Sequence, residues 1–188
     1  MGLRKCALES LVMQFTPTAI DDVYIIELQE HGDDRGFFAR SYCEREFKEV
    51  GLTIPGVQCN VSFNRHKGTV RGLHFQNPPA AESKLVRCTR GRIVDVAVDM
   101  RVDSKTRYQH VMVELTAENR KALYVPEGFA HGFQTLEDNT EVFYQVTAFY
   151  SPEHEGGLRY SDPSLGINWP EKVTTISDKD SGWMLLNE

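Results

Sequence analysis

Four stretches of the chain alternate between apolar and polar positions. In Ile93-Val94-Asp95-Val96-Ala97-Val98-Asp99, Val94, Val96 and Val98 fall on one face and Asp95 and Asp99 on the other. Val23–Leu28, His110–Leu115 and Glu141–Thr147 repeat the pattern. Successive side chains of an extended chain point to opposite faces, so a period of two predicts half-buried β-strands. Turn signals separate the runs: Lys67-Gly68, Asn77-Pro78-Pro79, Arg90-Gly91, Glu127-Gly128 and Gly156-Gly157. One helix is expected from about Tyr42 to Val50, with Ser41 as N-cap, Glu44 three residues later and Gly51 as the stop. Many short strands and little helix predict an all-β sandwich or barrel, and spacing alone does not separate a jelly roll from other two-sheet folds.

Length and composition narrow the class. The 188 residues predict one domain, 1–188, with no repeat or composition shift to divide it. Twenty-seven acidic against 21 basic residues give a net charge of −6, which argues against a nucleic-acid partner. With 40% hydrophobic residues the chain is not expected to be disordered. No apolar run reaches the roughly 20 residues of a membrane span. Met1–Thr16 shows no signal-peptide core, so no membrane association and a cytoplasmic location are expected. Cys6, Cys43, Cys59 and Cys88 are scattered and read as free thiols at packing positions.

The chemistry concentrates at a few positions. In Arg71-Gly72-Leu73-His74-Phe75-Gln76, an alternating strand points His74 away from Leu73 and Phe75, toward a cavity wall if the sandwich has one. A lone histidine is more often structural. Pro126-Glu127-Gly128-Phe129-Ala130-His131 supplies a second and resembles half of a cupin signature. The other half normally holds a His-x-His pair, and here it reads His74-Phe75-Gln76. Two candidate ligands fall short of the three or four protein ligands of a transition-metal site, so no metal is expected. Lys84 reads alone as a surface lysine and Tyr144 as a half-buried aromatic. Together, a histidine base, a tyrosine acid and a lysine cation suit proton removal next to a carbonyl and return of the proton to the other face.

Taken in order, the motifs resemble the dTDP-4-dehydrorhamnose 3,5-epimerase family of nucleotide-sugar epimerases. The match runs from Asp33-Asp34-Arg35-Gly36-Phe37-Phe38 through Gln58-Cys59-Asn60, Arg71–Gln76, Lys84–Cys88, Asp95–Asp99 and Leu115–Asn119. Pro126–Phe133, Phe149-Tyr150-Ser151-Pro152 and Gly166–Pro170 continue it, so that it spans about 23–180. The resemblance implies a cupin-like jelly-roll β-sandwich with one or a few short helices, a homodimer, and no metal or organic cofactor. It also implies a small-molecule substrate, a nucleoside-diphosphate 4-keto-6-deoxyglucose inverted at C3 and C5. By the same resemblance His74 is the base, oriented by Asp180 (Asp178 being the local competitor), Tyr144 is the acid, and Lys84 stabilises the O4 charge. Arg35, Gln58, Asn60 and Arg71 match diphosphate contacts, His131 a positioning histidine, and Tyr150 an aromatic near the nucleobase; Phe38 counts among the substrate contacts.

Two positions depart from the pattern. Arg40 stands where many thymidine-type members carry glutamate, and His31 where they often carry an aromatic. If both face the base, a thymine N3–H loses its acceptor, which leaves CDP, UDP or GDP sugars as alternatives; Arg40 pointing elsewhere is the competing reading. A C3-only or C5-only epimerase and a non-catalytic sugar-nucleotide-binding jelly roll are the remaining alternatives.

Overall fold

The structure, a computed structural model, describes residues 12–53 and 56–187. Its described strands form two large antiparallel sheets and a small hairpin. One large sheet has the order β1 (Gln14–Pro17), β2 (Tyr24–Glu27), β10 (Ala122–Val125), β7 (Lys84–Arg90), β12 (Thr140–Val146), β5 (Gln58–Asn64). The other runs β13 (Glu155–Gly157), β6 (Val70–Gln76), β11 (Phe129–Thr135), β8 (Arg92–Asp99), β9 (His110–Thr116). The hairpin of β3 (His31–Asp33) and β4 (Gly36–Phe38) stands apart from both. Consecutive strands such as β7 and β8 lie in opposite sheets, the connectivity of the expected jelly-roll sandwich.

Three apolar clusters hold these layers. Val86, Ile93, Ala97, Leu115, Leu123, Phe129, Phe133 and Val142 fill the space between the sheets. Phe47 of α1 (Glu44–Glu49) covers the outer face of the first sheet with Ile26, Leu85 and Ala122. The outer face of the second sheet, Leu73, Val96, Val98 and Ala130, is covered by Leu158 and Leu165 together with Ile167, Trp169 and Leu186. That covering segment is tied down by a backbone bridge between Thr69 and Thr175. It is tied again by Asp162 Oδ2, which accepts from the Leu186 amide at 2.6 Å. Between Thr175 and Leu186 it forms α2 (Asp178–Ser181).

Several local expectations are corrected. The 93–99 strand is buried on both faces rather than one: the C-terminal segment covers the face of Val96 and Val98, and the face of Asp95, which alternation left to solvent, turns between the sheets with Ile93 and Ala97. Helix α1 is shorter than expected and Ser41 is not its cap; the cap position is Cys43, without a side-chain bond, and the Ser41 carbonyl accepts from Arg87 at 2.5 Å. Gly51 does terminate the helix, its amide bonding the Lys48 carbonyl at a φ of 78°. Gly156-Gly157 lies within β13 rather than in a turn. Of the cysteines, Cys43, Cys59 and Cys88 are free; Cys88 is packed, Cys43 half-buried, and Cys59 exposed on the outward side of β5. Cys6 lies outside the described residues. Among those residues no helix is long and apolar enough to cross a membrane.

Leu123 is fully buried at the centre of the inter-sheet cluster. Leu123→Ala is expected to cost about 2–5 kcal/mol in urea unfolding. A loss under about 1 kcal/mol would show that the two sheets are not held by this cluster.

Candidate active site

Both histidines sit on neighbouring strands of one sheet. His74 of β6 and His131 of β11 are register partners, and a bulge follows between His131 and Phe133. The strands approach closely because Gly72 and Gly132 carry no side chains there: a Cβ on Gly72 would lie 2.6 Å from the Gly132 Cα. Gly72 also takes a φ of 120°, a region other residues avoid. Alternation turns His74 inward, away from Leu73, as expected, into the open end of the sandwich.

The opposite sheet supplies the other wall. Lys84 on β7 is paired in register with Val146 of β12, and Tyr144 of β12 with Asn60 of β5. Inward-facing Gln58, Asn60, Lys84 and Tyr144 line one cavity of about 390 Å³ with His74, Glu82, Tyr150, Glu155 and Lys179. A neighbouring cavity of about 400 Å³ shares His74, Lys84, Tyr144 and Lys179 with it and adds Arg71, His131 and Asp180.

Each histidine is bonded to a buried carboxylate. His74 Nε2 lies 2.7 Å from Asp180 Oδ1, although the two are 106 residues apart in the chain. Asp180 Oδ2 accepts from the Gly72 amide at 3.1 Å, and the Asp180 amide donates to the Ser177 hydroxyl that caps α2. Burial pushes the Asp180 carboxyl up, but the bond and charge of His74 and the Gly72 amide outweigh it and hold the group below the usual carboxylate range. An ionised Asp180 accepts the Nε2 proton, which leaves Nδ1 of His74 as the basic nitrogen. His131 Nε2 lies 2.8 Å from Asp95 Oδ1. Asp95 is fully buried, and its Oδ2 has no hydrogen-bond partner among the described residues.

The remaining polar groups form pairs around the opening. Lys84 Nζ lies 3.2 Å from Glu82 Oε1, and both side chains are largely buried. Burial pushes the Tyr144 phenol up and Glu82 pushes it further, while Arg71 pulls it partly back. Arg71 Nε donates to Asn64 at 2.7 Å. At the rim Glu155 accepts from Lys179 at 2.5 and 2.6 Å and from the Tyr150 hydroxyl at 3.1 Å, and the Tyr150 amide donates to Gln58.

His74, Asp180, Lys84, Tyr144, His131, Arg71, Gln58, Asn60 and Tyr150 are thus brought together, whereas Arg35, His31, Phe38 and Arg40 stand outside the cavity of their own chain. Arg35 is paired with Asp33 in the hairpin. His31 and Phe38 are exposed register partners there, Phe38 64% exposed. Arg40 donates to Glu46 of α1 at 2.7 Å. Sequence reasoning missed Asp95, Glu82, Glu155 and Lys179. Asp95 carried a signal: a carboxylate on a strand whose neighbours are all apolar needs a buried partner. Among the described residues no three His, Cys, Asp or Glu side chains form a metal-holding cluster.

A family profile described as dTDP-4-dehydrorhamnose 3,5-epimerase matches residues 17–188. The chain belongs to that family. The dTDP-4-dehydrorhamnose 3,5-epimerase of Sinorhizobium fredii is 49% identical over 177 residues, 94% of this chain and 91% of that relative. The crystal structure of the Bacillus anthracis 3,5-epimerase with TDP and PPi bound superposes with a TM-score of 0.90 at 43% identity, covering 93% of this chain and 100% of the other. The Legionella pneumophila epimerase in complex with dTDP-4-keto-L-rhamnose gives a TM-score of 0.87 at 42% identity, with 93% of each chain covered. The cupin-like jelly-roll architecture is therefore shared across the epimerase family.

Because the folded-state pKa of Asp180 is depressed, its contribution to stability is present above the unfolded carboxylate pKa and is lost as pH falls through the folded one. Asp180→Asn is expected to cost about 1–3 kcal/mol at pH 7. The gap to the unsubstituted chain should close as pH drops below about 4, which urea unfolding across that range would check.

Proposed function

We propose that this chain inverts C3 and C5 of dTDP-4-dehydro-6-deoxy-D-glucose to give dTDP-4-dehydro-L-rhamnose. What supports the reading is that His74, bonded to Asp180, and the Tyr144 phenol stand on opposite sheets of one sandwich and line one cavity. The 4-keto group acidifies the neighbouring C–H bonds. Nδ1 of His74 takes the proton from one face, and the electron pair moves into an enolate with its charge on O4. The Lys84 ammonium stabilises that oxygen, and such stabilisation is worth most in a dry, preorganised site. Tyr144, from the other wall, protonates the carbon on the opposite face. The resulting phenolate regains a proton from solvent and the imidazolium returns one, so the enzyme is unchanged. The same sequence at the second carbon completes the reaction.

His131, held by Asp95, positions the sugar; Arg71, Gln58 and Asn60 meet the diphosphate, and Tyr150 lies toward the nucleobase. Base, acid and cation all come from the chain, and no metal or organic cofactor enters the scheme. Thymidine is favoured as the nucleotide, since Arg40, the residue that argued against it, is engaged by Glu46. The working unit is a homodimer. Supporting this, the hairpin leaves Phe37 and Phe38 exposed, and edge strand β5 turns Val61 and Phe63 outward. In this reading Arg35, His31 and Phe38, outside their own cavity, serve that of the second copy. Sedimentation at the mass of two chains is the expected result.

The reading is tested by coupling the purified, chelator-treated protein to a reductase that consumes NADPH only with the epimerised 4-keto sugar. Turnover is expected with the dTDP sugar and weak or absent with CDP, UDP and GDP analogues; no turnover with the dTDP sugar would overturn it. Tyr144→Phe is expected to cut turnover about 100-fold or more, in the range typical of a lost general acid, while deuterium still washes into the substrate from solvent. Because the phenol is held above its usual value, no loss of turnover from Tyr144 ionisation is expected below about pH 10.

A further inference from the structure

Asp180 is carried by a helix of four residues, Asp178–Ser181. One turn does not repay the cost of nucleating a helix, so the position of this carboxylate has to be set from outside the helix. The Ser177 cap, the Gly72 amide and the Lys179–Glu155 pair supply part of that constraint. A further part comes from a residue the mechanism does not use. Trp183 follows the helix directly after Gly182, whose amide closes it on the Asp178 and Lys179 carbonyls. Its indole lies against β13 so closely that a Cβ on Gly157 would overlap the ring. Gly157 is the register partner of His74.

The same ring meets His74 itself edge-on, with centroids 6.4 Å apart and planes at 67°. The Lys179 ammonium stands 5.9 Å from the same ring's centroid. The Trp183 carbonyl accepts from Arg159 Nε at 2.7 Å, which fixes the main chain at this point. Its Nε1–H is buried with no hydrogen-bond partner among the described residues. The indole is therefore held for its breadth rather than for its polar atom, and it spans the strand beside His74 and the helix that carries Asp180.

We infer that Trp183 is a positioning residue for the epimerisation: seated on Gly157, it holds the end of α2 so that Asp180 keeps its bond to His74. The inference rests on the reading of His74 as the base. Trp183→Ala is expected to lower kcat about tenfold with KM changed less than about twofold, since the cavity wall stays intact while the base loses its orientation. Trp183→Phe restores most of the rate. In an Asp180→Asn background, Trp183→Ala costs less than about twofold more, because the bond it protects is already gone.

Gly157→Ala applies the displacement from the other side. It should mimic Trp183→Ala in the native chain and add nothing once the indole is absent, so the test survives a Trp183→Ala chain that does not fold. Wild-type kcat in Trp183→Ala or Gly157→Ala, or an equal loss with and without Asp180, would overturn the inference. If Asp180→Asn itself left kcat unchanged, the assignment of the His74 base would fail instead.

Discussion

The Asp180 carboxylate is nearly sealed from water, and an ion in that position must have its oxygens bonded or be neutralised. One oxygen bonds the His74 ring and the other the Gly72 amide, both on β6. The C-terminal segment is thereby tied to the strand that carries His74, and burial of Leu158, Leu165, Ile167 and Trp169 holds the rest of the segment on the outer face of that sheet. Covering the sheet and holding the His74 ring are consequences of one arrangement. A chain that lost the covering would lose the orientation of His74 as well.

The sandwich contributes a second constraint. Its sheets are packed with apolar side chains through the middle and leave polar ones at one end, where the sheets face each other across the cavity. Residues on facing walls reach a bound sugar from opposite sides, which is the requirement for inversion at a carbon. The wall opposite His74 combines a phenol that burial pushes above its ordinary pKa with a lysine whose charge is partly balanced by Glu82. His131 repeats the imidazole–carboxylate pairing one strand away. Close approach at Gly72 and Gly132 is what allows two such pairs to sit side by side.

Much of this was legible along the chain. Alternation located β8, β9 and β12 and turned His74 away from Leu73, and the collinear motifs marked Lys84, Tyr144 and Asp180. The unread parts share a physical origin. Alternation reports which residues share a face, not what covers it, so burial of both faces of β8 and the pairing of Asp95 were hidden. Ser41 has the side chain of a cap, yet the tertiary bond from Arg87 to its carbonyl belongs to a different geometry. Glu82, Glu155 and Lys179 are ordinary surface residues in sequence, and only the folding of three separate segments around one opening draws them to the cavity. The ion pair of Arg40 with Glu46 of α1 is likewise a contact that no sequence pattern announces.

Deuterium incorporation tests the central claim most directly. The protein would be incubated in deuterium oxide with dTDP-4-dehydro-6-deoxyglucose while the C3 and C5 protons are followed by NMR, with His74→Ala run in parallel. The account predicts exchange at both carbons with the unsubstituted chain and at neither with the variant. Exchange that persists at both carbons in His74→Ala would contradict it.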